Sequence, residues 1–315
     1  MNIRFPETEE LGLGVGLDLR YGDPHGFEHS PGIGDRISNR VPLFLRQQAF
    51  NYAFFSFQPR DRSVLKLEDY VPAWDSLFEQ LPPLQRCALH HTLLNLGSLD
   101  EEDRGPLLEF TNQLLERYNL AWVNEDLGIW SLGGRLMPYP LPPLLTEAGL
   151  ERAIREVTSV QSALCRPLLV EFPGFSEGTN FVVGTMNAYD YFRILAEETG
   201  VAVTLDTGHL LSYQWWLGRR GEDLYGDLDR LPLKHCFEIH LSGCEILDDR
   251  FVDVHHGVLR PEQLILLERL LPRCPHLKAI AYEDPKFDER GALRSRAIPG
   301  FERLQQLTAP VRMSA

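Results

Sequence analysis

The strongest constraint on this chain is a repeated change of hydrophobic period. Short apolar runs that alternate every second residue give way to longer stretches whose apolar positions recur three and four apart. Eight strand-like runs can be placed, at Leu11–Leu19, Tyr52–Phe57, Cys87–Leu94, Leu120–Leu127, Pro167–Phe172, Val201–Asp206, Cys236–Ser242 and Leu277–Glu283. Helical patterns fall between and after them: from Ser38 to Gln48, within Leu67–Gln80, and at Glu101–Tyr118, Glu147–Leu164, Asn187–Glu198, Gln214–Leu231, Pro261–Leu271 and Gly300–Leu307. Strand followed by helix, repeated eight times over 315 residues, predicts a (β/α)8 TIM barrel, an α/β fold with a single domain spanning 1–315. An open doubly wound sheet would want a phosphate-binding glycine turn after the first strand. Here the glycines of GLGVGLDLR lie inside the strand, so the barrel is preferred.

Composition narrows the partners. A hydrophobic share of 43% leaves ample material for a core, and a net charge of −14 argues against nucleic acid, whose phosphates need clustered Lys and Arg. Five cysteines form no CxxC pair and are odd in number, which points away from a disulfide framework and toward a reducing cytosol. The amino end, MNIRFPETEE, is polar and acidic rather than signal-like, and no apolar run approaches the roughly 18–20 residues of a membrane helix. A cytoplasmic protein with no membrane association is expected.

In such a barrel the chemistry sits at the carboxyl ends of the strands. Taken in order, those ends carry His90 and His91, Glu125 and Asp126, Glu171, Asp206 with His209, His240, and Glu283 with Asp284. The stretch from Cys236 to Gly257 adds Asp253 and His255, which share a face if extended. One such residue alone is more often a loop cap or a surface pair. Six consecutive strands ending in an acid or a histidine predict a cation-binding crater, because inward-facing charge without a partner is costly. Imidazole and carboxylate donors without a thiolate tetrad suit iron, manganese, zinc or cobalt, and more than six donors imply more than one ion. Strict alternation lets only one of His90 and His91 face inward, and leaves open which. Arg20, His25 and His29 lie on the rim by topology, with a mobile surface loop the weightier reading for the two histidines. Tyr213, Trp215 and Trp216 either wall the pocket or pack a helix, and Cys244 reads as a small buried apolar residue.

Several segments, in order, resemble one family. Asn124–Trp130 (NEDLGIW) resembles its S-E-H-L-A-W stretch, Leu169–Pro173 (LVEFP) its L-E-N-P, and Leu205–Ser212 (LDTGHLLS) its L-D-x-N-N-x-x-x-S. Glu238–Cys244 (EIHLSGC) resembles I-H-L-A-G-H, Val252–His255 (VDVH) resembles I-D-x-H, and Ile280–Asp284 (IAYED) resembles I-E-x-D. Leu141-Pro142 with Val160-Gln161, and the GLGVGLDLR start, match further segments. The family is the DUF692, or UPF0276, group of multinuclear non-heme iron-dependent oxidative enzymes. The chain departs from its pattern in five places: Asp126 stands where the family has histidine, Phe172 replaces an asparagine, Gly208-His209 replaces an Asn-Asn pair, Cys244 replaces a histidine, and the second strand, NYAFFSFQPR, lacks the family's acid-rich pattern.

The resemblance implies a barrel mouth holding two or three iron ions, with dioxygen as co-substrate. It implies oxidative modification of a residue, often cysteine, in a ribosomally made precursor peptide, with a partner protein that recognises the leader. Carried over position by position, the ligands are Glu125, Glu171, Asp206, His240, Asp253, His255 and Glu283, with His90 or His91. Asp126 and His209 are added as ligands that rebuild the altered positions, and His240 with Asp253 are taken as the catalytic pair. The alternatives are a redox-silent manganese or zinc isomerase or hydrolase of the xylose-isomerase-like barrel type, and a metal-free scaffold.

Overall fold

A computed structural model of the chain describes residues 2–17, 41–48, 50–57, 66–84, 86–100, 103–175 and 181–309. The rim residues Arg20, His25 and His29, and the helix start at Ser38, lie outside the described residues. Strands β1 (Gly12–Leu17), β2 (Tyr52–Phe57), β3 (Arg86–His91), β4 (Val123–Asp126), β7 (Leu168–Glu171), β8 (Ala202–Asp206), β9 (Cys236–Leu241) and β12 (Ala279–Glu283) close into a barrel. Every pairing in it is parallel, with β1 joined to β2 on one side and to β12 on the other. This is the (β/α)8 architecture that the alternating pattern predicts.

Two antiparallel hairpins interrupt the strand–helix rhythm. Strands β5 (Ile129–Leu132) and β6 (Arg135–Leu141) follow β4, and β10 (Cys244–Leu247) and β11 (Arg250–Asp253) follow β9. The first lies outside the eight strand-like runs and carries Pro138 and Pro140 within β6. An isolated two-stranded edge tolerates proline, which only the interior of a sheet forbids. The second turns at Asp248 and Asp249, both left-handed at φ 48° and 56°, and thereby returns the chain to the barrel mouth at Asp253.

Helices α1 (Leu67–Gln80), α2 (Gly105–Arg117), α3 (Glu147–Ala163), α4 (Ala188–Thr199), α5 (Thr207–Trp216), α6 (Pro261–Leu270) and α7 (Ile298–Thr308) surround the strands, and residues 41–48 are also helical. Their stripes follow the sequence: α3 buries Leu150, Ala153, Val157 and Val160, spaced three and four apart. Thr146 caps that helix by accepting from the Gly149 N–H, Asn187 caps α4, and Gly200 closes α4 at φ 67°.

Inside the barrel the sequence pairs small with large. Leu11, Tyr52, Phe54, Trp122, Leu169 and Phe237 fill its lower part against Ala88, Ala202, Ala279 and Ala281. The glycines of β1 belong to this packing: a Cβ on Gly14 would fall 2.1 Å from the Tyr52 ring, and one on Gly16 would fall 2.0 Å from that of Phe54. Strand β9 departs from strict alternation. Its register against β8 slips between Val203–Cys236 and Thr204–Glu238, which puts Phe237 among the interior aromatics beside Glu238 instead of on the opposite face.

Gly16→Ala is expected to cost about 1–3 kcal/mol in urea unfolding, the usual range for an overpacked core. Adding Phe54→Leu should return part of that loss, and an unchanged midpoint for Gly16→Ala would show that the ring has room to yield.

Candidate metal centre

Above the aromatic floor the interior becomes ionisable. Parity along the strands decides which side chains reach it. In β3, Ala88 faces the interior, so His90 does too: its Nε2 lies 3.2 Å from Glu171 Oε2 and 3.9 Å from Asp126 Oδ2. His91 takes the opposite face. Its Nδ1 accepts the Leu93 N–H at 3.0 Å, and its Nε2 lies 3.1 Å from Thr111 Oγ1 of α2, whose hydroxyl donates in turn to the Leu107 carbonyl. Both ring nitrogens of His91 are thus committed to protein partners. Glu125, one residue off the inward-facing Asn124 and Asp126, accepts from the Leu94 and Asn95 amides and so anchors the loop after β3.

The remaining donors converge. Glu171, at the end of β7, accepts from Asn124 Nδ2 and lies 3.1 Å from His240 Nδ1 of β9. His240 Nδ1 is also 3.7 Å from Glu283 Oε2 of β12, and its ring stacks on Phe54 with centroids 4.8 Å apart. Asp206 ends β8 and caps α5 by accepting from the His209 amide at 2.8 Å. That cap seats His209, one turn into the helix, over the mouth. His209 Nδ1 lies 2.8 Å from the Phe172 carbonyl, which can only accept, so Nδ1 carries the proton there and Nε2 is left facing Asp253 Oδ2 at 3.9 Å. Asp253 arrives from the hairpin and is oriented by Ser242 Oγ, which donates to its Oδ1 at 2.5 Å. His255 stands at the rim, 37% exposed, at φ 46°, with Nε2 3.7 Å from Asp253 Oδ1.

Four overlapping donor sets result: His90–His240–Glu283, Glu171–Asp206–His240–Glu283, Asp126–Glu171–His209 and Asp206–His209–Asp253, the ligand atoms of each lying within 4.8 Å of one another. His91, Glu125 and His255 stand outside all four. Five buried carboxyl groups therefore face three imidazoles, so in the fully ionised cluster negative charge would exceed positive. The electrostatics reflect that crowding. Burial pushes the carboxyls of Asp206 and Glu283 up, with neighbouring carboxylates adding to it. Burial also opposes charge on His90, yet the carboxylates of Glu171, Asp126 and Glu283 outweigh it and raise that imidazole to about 9. His240 is raised in the same way, and Glu171, despite its burial, is held low by the two histidines. Asp206 Oδ2 and Asp253 Oδ2 are buried with no hydrogen-bond partner among the described residues. A divalent cation satisfies such oxygens, and the imidazole–carboxylate donor set fits the iron that the resemblance implies.

The aromatic trio divides. Tyr213 is buried and accepts the Ala188 amide, Trp215 donates to the Asp249 carbonyl under the Arg220 guanidinium, and Trp216 is half exposed beside Phe175. Tyr213 and Trp215 are packing residues. The residues that sequence reasoning passed over are those that orient others, Asn124 and Ser242. Parity was their signal: each sits two positions from a donor or shares its face.

Two substitutions separate anchoring from basin. Glu125→Ala should lower stability by about 3 kcal/mol, since a buried loop loses two charge-assisted hydrogen bonds. Asp206→Asn keeps the helix cap and removes a carboxyl whose ionisation is opposed by burial and its carboxylate neighbours, so the metal-free protein should gain melting temperature over the parent as pH rises above the ordinary carboxylate range. Calorimetry checks both, and a lower melting point for Asp206→Asn would contradict the charge excess.

With the geometry in place, similarity to known proteins can be set beside it. The RiPP precursor modification enzyme family MbnB/TglH/ChrH matches residues 66–295. A UPF0276 protein of Rhizobium meliloti (strain 1021) is 33% identical over 216 residues, 67% of this chain and 68% of that one. A UPF0276 protein of Paraburkholderia phytofirmans is 29% identical over 216 residues, with the same shares of the two chains. Among solved structures, D-allulose 3-epimerase from Methylomonas sp. superposes with a TM-score of 0.51 at 12% identity, covering 96% of this chain and 100% of that one. Mannonate dehydratase from Streptococcus suis does so with a TM-score of 0.51 at 10% identity, covering 98% and 96%. These two show the fold alone. No helix among the described residues is long and apolar enough to cross a membrane. The match over residues 66–295 covers most of the barrel and all of the donor cluster, and the chain belongs to the DUF692/UPF0276 family, the MbnB/TglH/ChrH group of RiPP precursor modification enzymes.

Proposed function

We propose that the mouth of the barrel holds two or three iron ions, and that the enzyme uses dioxygen to modify a residue, cysteine foremost, in a ribosomally made precursor peptide. The observation that carries this reading is the sharing of donors: His240, Glu283, Glu171 and Asp206 each belong to two of the four ligand sets. Carboxylates shared between sets are what adjacent metal ions need as bridges, and a mononuclear isomerase has no use for so many. The ligands would be His90, Asp126, Glu171, Asp206, His209, His240, Asp253 and Glu283. His91 and Glu125 would serve the scaffold, and His255 the rim. When bound, the irons supply the redox chemistry toward dioxygen.

The chain's own residues account for the rest. Asn124 fixes the rotamer of Glu171, Ser242 that of Asp253, and the Phe172 carbonyl the tautomer of His209. The floor of Tyr52, Phe54 and Trp122 closes the site to water from below. A net charge of −14 favours a cationic leader or a partner protein with a basic face. All five cysteines are free of disulfides, which fits work in a reducing cytoplasm.

Metal analysis and an electronic spectrum on protein purified without oxygen test the proposal, with His240→Ala and Glu283→Ala as controls. Two or more irons per chain, lost in both variants, are expected. One colourless zinc or manganese per chain would favour the redox-silent isomerase or hydrolase, and no retained metal in the parent protein would overturn both.

A further inference from the structure

Both hairpins at the barrel mouth close through two left-handed residues, Gly133-Gly134 in one and Asp248-Asp249 in the other. In such a hairpin the pair flanking the turn exchanges both backbone hydrogen bonds, and the next pair exchanges none. Ser131 of β5 and Ile246 of β10 are therefore equivalent positions, each turning its N–H and C=O away from the partner strand. The Val254 N–H, which donates to the Gly243 carbonyl at 2.9 Å, keeps that parity down to the base of the second hairpin. The edges of the two hairpins are finished differently. At Ser131 the side-chain amide of Asn95 takes the place of a neighbouring strand: its Oδ1 accepts the Ser131 N–H and its Nδ2 donates to the Ser131 carbonyl, both at 3.2 Å. The opposite edge of that hairpin, β6, carries Pro138 and Pro140, which have no N–H to offer. In the second hairpin β11 lies against α5, with the Trp215 ring beside Phe251 and its indole N–H on the Asp249 carbonyl. Among the described residues nothing pairs with the N–H or C=O of Ile246 on β10. Ile246 and Leu247 are apolar, yet 38% and 42% exposed. An open apolar edge is a template for a further strand, and chains ordinarily block it. This chain blocks the first hairpin and leaves β10 open.

We propose that β10 is the docking edge for the substrate peptide, which adds to it in extended form as a third, antiparallel strand. The inference rests on the reading of the chain as a peptide-modifying enzyme, and it names the surface that feeds the site. Direction follows from the hairpin. Strand β10 begins at Cys244, paired with the donor Asp253, and runs outward to the exposed turn residue Asp248. At about 3.4 Å per residue, the peptide residue two positions along from the one opposite Ile246 lies beside Cys244 and the donor cluster. The residue to be modified sits there. Two positions the other way the peptide meets Asp248, which favours a lysine or arginine, as does the net charge of −14. Ile246 and Leu247, on opposite faces of β10, hold the apolar side chains between those ends.

The probe for this edge is acetyl-Lys-Val-Thr-Val-Ser-amide. Its lysine is placed opposite Asp248 and its threonine opposite Ile246, and serine stands in for the modified residue so that binding does not depend on a metal. In a nuclear magnetic resonance titration of the full-length protein, millimolar probe should shift the Ile246 amide and slow its hydrogen exchange, with Ser131 unchanged. Strand addition uses the N–H of every second peptide residue. N-methylation of the threonine should therefore abolish binding, and N-methylation of either valine should leave it nearly unchanged. Ile246→Pro removes the outward N–H without touching a bond to β11, and should weaken binding about tenfold or more. The methylated peptides probe the unaltered protein, so the outcome does not hang on how that variant folds. No binding by the parent protein, a response that spares Ile246, or equal losses from all three methylated peptides would overturn the proposal. A protein that binds the probe at Ile246 and retains no metal would keep the docking edge while the iron reading fails.

Discussion

The structure is governed by an excess of buried negative charge. Asp126, Glu171, Asp206, Asp253 and Glu283 meet at the barrel mouth around three imidazoles, so the acids outnumber the bases. A fold tolerates such crowding only where the charges are compensated, because each carboxylate taken from water loses several kcal/mol of hydration. Neighbouring elements contribute what they can: an amide from Asn124, a hydroxyl from Ser242, the first turn of α5. These satisfy one oxygen each of Glu171, Asp253 and Asp206.

The lower barrel makes that arrangement possible. Because β1 presents glycine and β12 alanine to the interior, Tyr52, Phe54 and Trp122 can extend across the axis and seal it. A sealed apolar floor keeps the dielectric low under the donors, which strengthens their attraction for a cation as well as their mutual repulsion. It also supplies rigid walls: the ring of His240 lies against Phe54, so its direction is set by packing before any ion is present.

Much of this was legible in the sequence because the barrel is periodic. Eight apolar runs, six of them ending in an acid or a histidine, specified both the fold and the rim that bears the donors. Legibility failed where a single residue of register mattered. Motif likeness pointed to Glu125, but in β4 the inward positions are Asn124 and Asp126, and Glu125 spends its carboxylate on the loop amides of Leu94 and Asn95. Alternation allowed one of His90 and His91; choosing between them required knowing that Thr111 of α2 and the Leu93 amide would take both nitrogens of His91. The slip at Phe237 and the hairpin delivering Asp253 are tertiary features, set by packing against β8 and by a left-handed Asp-Asp turn.

Two of the departures from the family pattern, at position 126 and at positions 208 and 209, are linked in the structure. A Cβ on Gly208 would lie 2.9 Å from Asp253 Oδ2, 2.9 Å from Cys244 Sγ and 3.1 Å from Asp206 Oδ1, so with this hairpin and this cap the position has no room for a side chain. The donor that a longer residue at 208 would bring is therefore lost. Its neighbour His209 supplies an imidazole from the same turn of helix, directed by the Phe172 carbonyl that follows Glu171. At position 126 the exchange runs the other way, with carboxylate where the pattern has imidazole. One imidazole leaves β4 and one enters α5, and between them Asp126 and His209 stand 3.6 Å apart. The two changes offset each other in donor count and differ in place, which would shift the imidazole-rich side of the basin from β4 toward α5 and the hairpin.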